Sequence, residues 1–200
     1  MSTIQANLIE PSSGTTVTFG ASGDTVTIPS GATIDASAGT ATGFGKVLQV
    51  LQVAVTATTS YGTDDVWADI SGMTLDITPS STSSTILINT SANYGASDPA
   101  NTYCRLMRDS TPIAIGATAG SRILCTYEIG VRHTHDVYES WPQSFMYLDS
   151  PSTTSATTYK MQWYIEDSSA TLYLNQSSAD GDNTSYSRNV STIILMEIGA

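Results

Sequence analysis

The stretch YKMQWYIE, residues 159–166, decides the fold class, because large apolar and polar side chains alternate along it. One set of alternate positions holds Tyr159, Met161, Trp163 and Ile165, and the other holds Lys160, Gln162, Tyr164 and Glu166. Successive side chains of a strand point to opposite faces. The pattern therefore predicts a β-strand with one buried face, and it places Trp163 in the core.

Similar short apolar runs lie on both sides of this stretch, and turn-type residues separate them. They occupy residues 47–55, 73–77, 86–88, 103–107, 113–115, 123–129, 145–148, 172–174 and 190–198. Ser and Thr make up 58 of the 200 residues, a bias that favours strands and turns over helices. Many short strands at regular spacing predict an all-β, antiparallel β-sandwich of the jelly-roll kind.

The first 45 residues differ from the rest, because they are rich in Gly, Ser, Thr and Ala and contain a repeat. The units TVTFGASG, DTVTIPSG and ATIDASAG end in Gly23, Gly31 and Gly39, eight residues apart. Short repeats become stable by stacking on neighbours, so we expect three chains to wind into an extended β shaft or arm. The alternative is a flexible Gly/Ser linker. The predicted domains are residues 1–45, an attachment segment, and residues 46–200, the sandwich.

Charge excludes several classes of function. The chain carries seven Lys and Arg against 18 Asp and Glu, for a net charge of −11. A protein that neutralises nucleic-acid phosphates needs clustered basic residues, so we predict no nucleic-acid partner and no membrane insertion. The N-terminus lacks the basic and apolar regions of a signal peptide. We therefore expect synthesis in a cytoplasm, where Cys104 and Cys125 stay reduced; a disulfide formed after cell lysis is the alternative.

From about Gly45 to its end the chain resembles a domain of tail-fibre-like and other virion proteins of marine bacteriophages. The stretches that carry the resemblance are GKVLQVLQV (45–53), ITPSSTSSTILI (77–88), RDSTPIAIG (108–116), LDSPSTTSATTYKMQWY (148–164) and STIILMEIGA (191–200). The resemblance implies a phage particle component, usually trimeric and often at the distal end of a fibre. It leaves open a tail fibre, a head fibre or a capsid decoration protein.

Two segments contain residue types that bind metals. In HTHD, His133 and His135 would share one face of a strand, and a three-fold assembly could place six imidazoles around an ion. Histidines at the surface or at a subunit contact are the alternative. The segment ADGDN contains Asp180, Asp182 and Asn183 but lacks the rest of a calcium loop, which favours a solvated turn.

Sequence motifs of catalysis are missing. The chain contains no GxSxG, GxxxxGK[ST] or Rossmann glycine pattern. Adjacent carboxylates such as Asp64 and Asp65 would point to opposite faces instead of facing each other across a cleft, as glycan cleavage requires. We predict a protein that is not an enzyme and has no cofactor.

Aromatic residues in polar stretches are candidates for receptor contact. Trp141, Tyr94 and Tyr186 lie in stretches with the composition of exposed loops, and Tyr and Trp suit wet interfaces and sugar rings. Ordinary packing or subunit contacts are the alternative. The sequence thus predicts a trimeric tail fibre, made in the host cytoplasm and carried on the virion. Its partners would be other copies, other phage structural proteins through residues 1–45, and a host surface glycan or protein.

Overall fold

The computed structural model describes residues 46–98, 100–129, 138–166 and 169–199, together with residues 25, 27 and 30. Gly45–Ala200 forms one compact unit. The strands are β1 (Lys46–Val55), β2 (Thr59–Tyr61), β3 (Ala68–Ile77), β4 (Thr85–Ala96), β5 (Thr102–Arg108), β6 (Thr111–Ile113), β7 (Tyr127–Glu128), β8 (Trp141–Asp149), β9 (Thr157–Ile165), β10 (Leu172–Leu174) and β11 (Ser191–Gly199). All regular elements in the described ranges are strands, which confirms the all-β prediction. The predicted shaft, residues 1–45, lies outside them apart from three isolated positions.

The strands form two antiparallel sheets. In sheet A, β1 pairs with β11 and β11 with β4, while β8 pairs with the opposite edge of β4. The far end of β4 pairs with β10, which in turn pairs with β2. In sheet B the order is β3, β9, β5, with β6 and β7 along the remaining edge of β5.

The connectivity is that of a jelly roll, as the sequence predicted. The chain alternates between sheets, and the orders β1-β11-β4-β8 and β3-β9-β5-β7 place eight strands in two facing layers. Strands β2 and β10 extend sheet A beyond this framework. Within the described ranges, no helix has the length and apolar character needed to cross a membrane.

The core lies between the inner faces of the two sheets. Tyr159, Met161 and Trp163 of β9 are at most 2% exposed, which confirms the strand and the buried face read from YKMQWYIE. The Trp163 ring stacks on Tyr61 at 5.5 Å. Sheet A contributes buried aliphatic side chains from β4 and β11, namely Ile86, Ile88, Ile193 and Leu195. Each such side chain contributes about 1.5–3 kcal/mol through removal from water.

A buried carboxylate anchors the loop between β3 and β4 to sheet A. Glu197 of β11 accepts hydrogen bonds of 2.7 Å from the Gln49 side chain and from both the backbone N–H and the hydroxyl of Ser80. Burial by itself would raise the pKa of Glu197, but the hydrogen bonds from Ser80 and Gln49 outweigh it and lower the pKa to about 2. Glu197 is therefore charged and satisfied inside the sandwich.

Candidate functional site

The outer face of sheet A carries an apolar row that crosses four strands. Val50 of β1 pairs with Met196 of β11, Met196 with Leu87 of β4, and Leu87 with Leu148 of β8. Val50 and Leu148, at the two ends, are 54% and 55% exposed. Each of the four strands thus presents an apolar side chain on the outer face of the sheet.

Neighbouring rows enlarge this surface, which we call the apolar face. On one side Ile194 and Met146 flank Asn89, and Met146 is 59% exposed. On the other side Val47, also strongly exposed, pairs with Ile198. None of the residues named in these rows is charged, although the chain as a whole carries −11. A contiguous exposed apolar patch of this kind is a candidate interaction surface.

The outer face of sheet B has the opposite chemistry. Asp69 of β3 accepts hydrogen bonds from Lys160 at 2.8 Å and from the amide nitrogen of Gln162 at 2.6 Å, both on β9. The amide oxygen of Gln162 accepts a hydrogen bond of 2.8 Å from the Arg105 guanidinium on β5. Burial tends to raise the pKa of Asp69, but the bonds from Lys160 and Gln162 lower it overall. A charged ladder therefore crosses three strands of this sheet.

Three aromatic residues lie beside that ladder. The Trp67 ring is 5.1 Å from the Tyr164 ring, and the Tyr103 ring is 6.1 Å from Tyr164. The Arg105 guanidinium stands 4.2 Å above Trp67, a cation–π contact. The Tyr164 hydroxyl donates a hydrogen bond of 2.7 Å to the Asp65 carboxylate. That hydrogen bond, together with burial, raises the pKa of Tyr164 to about 12.

A cavity of about 430 Å³ opens next to this aromatic group. It is lined by Asn101, Tyr103, Ser121, Arg122, Ile123 and Glu166. The Asn101 amide donates to the Glu166 carboxylate. The lining therefore combines one aromatic ring with hydrogen-bond donors and acceptors. We call this cavity the Tyr103 cavity.

The structure corrects two placements from the sequence. Tyr94 is not in an exposed loop: it lies in β4 and is fully buried, with its hydroxyl 3.1 Å from the Tyr127 hydroxyl and 3.4 Å from the Cys104 sulfur. A fully buried side chain offers no surface to a receptor. Trp141 is not in a loop either, because it begins β8, where it pairs with Tyr94 and is half-buried.

Tyr186 lies outside the named strands, as predicted, and is half-buried. Its ring is 5.4 Å from Tyr138, and it lines a cavity of about 380 Å³ with residues 180–183 and Arg188. Asp180 forms an ion pair with Arg188, so this carboxylate already has a cationic partner. The described part of the chain contains no group of three or more His, Cys, Asp or Glu that could hold a metal ion.

Other predicted residues have the following positions. His133 and His135 lie outside the described residues, so their metal binding stays a prediction. Cys104 is buried and Cys125 half-buried, and both are free thiols. Of the adjacent carboxylates Asp64 and Asp65, Asp65 accepts a hydrogen bond from the Tyr164 hydroxyl. The absence of enzymatic activity also stays a prediction.

Sequence reasoning missed the aromatic group on sheet B. One signal was present: in YCRLM, residues 103–107, Tyr103 and Arg105 alternate with the apolar Cys104 and Leu106, which predicts a shared outer face. Trp67 had no such signal, because its partners come from strands far away in the chain.

Comparisons with known proteins leave the function open. No protein-family profile matches the chain, and no curated protein matches it. Among solved structures, one described as the structure of infectious bursal disease virus Gx strain is similar over 76% of this chain, with 11% sequence identity and a TM-score of 0.36. The match covers 39% of that longer chain. A similarity at this level says nothing about function.

Proposed function

We propose that the chain is a structural protein of a bacteriophage particle, a homotrimeric tail fibre whose sandwich domain recognises the host. The observation that carries the proposal is the uncharged apolar face of sheet A. Two further points support it. The stretches between residues 45 and 200 resemble phage virion proteins, and the jelly roll is a fold used by viral capsid and lectin domains.

The size of the apolar face fits a subunit interface. Four strands about 4.8 Å apart, with three rows of side chains about 7 Å apart, span a flat area of about 400 Å². A stable interface buries about 800 Å² on each partner, so the face supplies about half of that area. At about 25 cal/mol per Å², its burial favours association by roughly 10 kcal/mol before the entropic cost of binding.

Charge determines where copies of this chain can meet. With a net charge of −11 per chain, two copies repel each other over most of their surfaces. The row from Val50 to Leu148 and the neighbouring Ile194 and Met146 carry no charge, so copies that meet there bring no charged side chain into the contact. Three copies that turn this face toward a common axis would bury the apolar rows and leave sheet B exposed. Residues 1–45 would then join the trimer to other particle proteins.

Light scattering of the purified full chain tests the proposal. Wild type is expected at about three times the 21.1 kDa of one chain. Leu148→Glu places a charge within the apolar row of the proposed interface, at a position that is 55% exposed in one chain, and should give monomers. Val66→Glu is the matched control, because Val66 is 51% exposed but lies outside the apolar rows, and it should remain trimeric. A monomeric or dimeric wild type, or a trimer unaffected by Leu148→Glu, would contradict the proposal.

A further inference from the structure

We infer that the Tyr103 cavity binds an uncharged oligosaccharide, with the Tyr103 ring as the stacking surface and Asn101 and Glu166 as hydrogen-bonding partners. The inference rests on the proposed role in host attachment and names the site and the ligand class. It moves receptor contact from the loop positions suggested by the sequence to the outer side of sheet B.

The chemistry of the lining matches that of a sugar ring. A pyranose has apolar C–H faces and a rim of hydroxyl groups, and a tyrosine side chain offers an apolar face with a polar edge. Asn101 supplies an amide and Glu166 a carboxylate, and a carboxylate makes strong hydrogen bonds to hydroxyl donors. Ser121 and Arg122 add donors on the cavity wall. At about 430 Å³, the cavity falls in the usual range of small-molecule sites, about 300–1,000 Å³.

The stacking surface is held in place before a ligand binds. Tyr103 pairs with Tyr164 of β9 on one side and with Glu128 of β7 on the other. On the neighbouring strand, the Tyr164 hydroxyl donates a hydrogen bond to Asp65. The Trp67 ring packs on Tyr164 and under the Arg105 guanidinium. Such an arrangement loses little conformational freedom on binding, which favours affinity.

Charge around the cavity selects an uncharged ligand. Glu166 lines the cavity, and Glu128 is paired with Tyr103. Arg122 is the cation in the lining, while Arg105 is engaged with Gln162 and Trp67. Together with the net charge of −11, this disfavours sialylated or sulfated glycans.

A glycan array probed with the full chain tests the inference, followed by calorimetry on the strongest neutral ligand. We expect neutral oligosaccharides to bind in preference to sialylated and sulfated ones. Tyr103→Ala should weaken binding about tenfold or more, whereas Tyr103→Phe keeps the ring and should weaken it by less. Glu166→Gln preserves the shape of the side chain but removes its charge, and it should also weaken binding. This variant provides the test if Tyr103→Ala does not fold. Tyr138→Ala removes a tyrosine that is 49% exposed beside Tyr186 and should leave the affinity unchanged.

The inference is overturned if no neutral glycan on the array binds, if only anionic glycans bind, or if Tyr138→Ala removes binding that Tyr103→Ala leaves intact. Light scattering on the same samples separates the two proposals. A trimer that binds no neutral glycan defeats the inference alone. A monomer whose sugar binding depends on Tyr103 defeats the proposed trimeric fibre while the site stands.

Discussion

Tyr159 of β9 donates a hydrogen bond of 2.6 Å to the carboxylate of Asp149 at the end of β8, and this contact joins sheet B to sheet A. The Arg108 guanidinium on β5 reaches the same carboxylate at 2.9 and 3.0 Å. Asp149 is 6% exposed, so these two partners supply hydrogen bonds that water cannot. Burial and the bond to Asp149 raise the pKa of Tyr159.

Removing the Tyr159 hydroxyl should destabilise the sandwich. In Tyr159→Phe the buried Asp149 carboxylate loses a hydrogen-bond donor, a change of about 1.5–3 kcal/mol for a bond to a charged group. Urea unfolding at neutral pH measures it. Tyr147→Phe is the control, because the half-buried Tyr147 stacks on Phe145 through its ring and should change stability by less than about 0.5 kcal/mol. Equal effects of the two substitutions would show that the sheet-joining bond contributes little.

Glu197 should make stability depend on acid pH. Its pKa of about 2 in the folded chain lies below the ordinary value of 4.5. Its contribution is therefore complete above about pH 4.5 and is lost as the pH falls toward 2, by at most about 3 kcal/mol. Urea midpoints between pH 6 and pH 2.5 should fall less steeply for Glu197→Gln than for wild type. Parallel pH profiles would contradict the lowered pKa.

Gly95 should tolerate no side chain. A Cβ at this position of β4 would lie 2.4 Å from the Gln176 carbonyl oxygen and 3.0 Å from the Ser177 Cα, both backbone atoms of the segment after β10. Gly95→Ala should cost about 2 kcal/mol or more through overpacking. Gly116→Ala is the control, since its Cβ would meet nothing within 4 Å. Thermal unfolding of the pair measures the difference, and a neutral Gly95→Ala would contradict the close approach.

The two thiols should differ in reactivity. Burial raises the pKa of Cys104 to about 11, and burial together with Glu128 raises the pKa of Cys125. At pH 8 an aromatic disulfide reagent should modify half-buried Cys125 slowly and Cys104 more slowly still, because the thiolate is the reactive form. Both should react at once in denaturant. Fewer than two reactive thiols in denaturant, without reductant, would show that a disulfide had formed.

The alternation of apolar and polar side chains predicted the strands well. The positions of Trp141 and Tyr94 depend on contacts between distant segments, which alternation does not reveal. YKMQWYIE, residues 159–166, carries period-two alternation, and the structure buries the expected set. Trp141 was misplaced because Pro142 follows it, yet β8 is an edge strand, where proline is tolerated. Tyr94 was misplaced because small polar residues surround it, but small residues let the segment after β10 approach β4 at Gly95.

The candidate sites, too, could be predicted from the sequence only in part. The apolar face could be anticipated in part, since the middle of β11 is apolar on both sides, as in a strand that is central or packs on another subunit. Its neighbours on β1, β4 and β8 depend on register between distant segments. Trp67, Arg105 and Tyr164 come together for the same reason, from β5, β9 and the chain before β3. No local pattern specifies those pairings.

The mass of residues 46–200 in solution tests the central claim most directly. Because Gly45–Ala200 is a compact unit, this fragment is expected to fold, and the apolar face predicts that it remains a trimer without residues 1–45. The same fragment carrying Leu148→Glu should be a monomer. A monomeric fragment beside a trimeric full chain would place the three-fold contact in residues 1–45 and contradict the assignment of sheet A as the subunit interface.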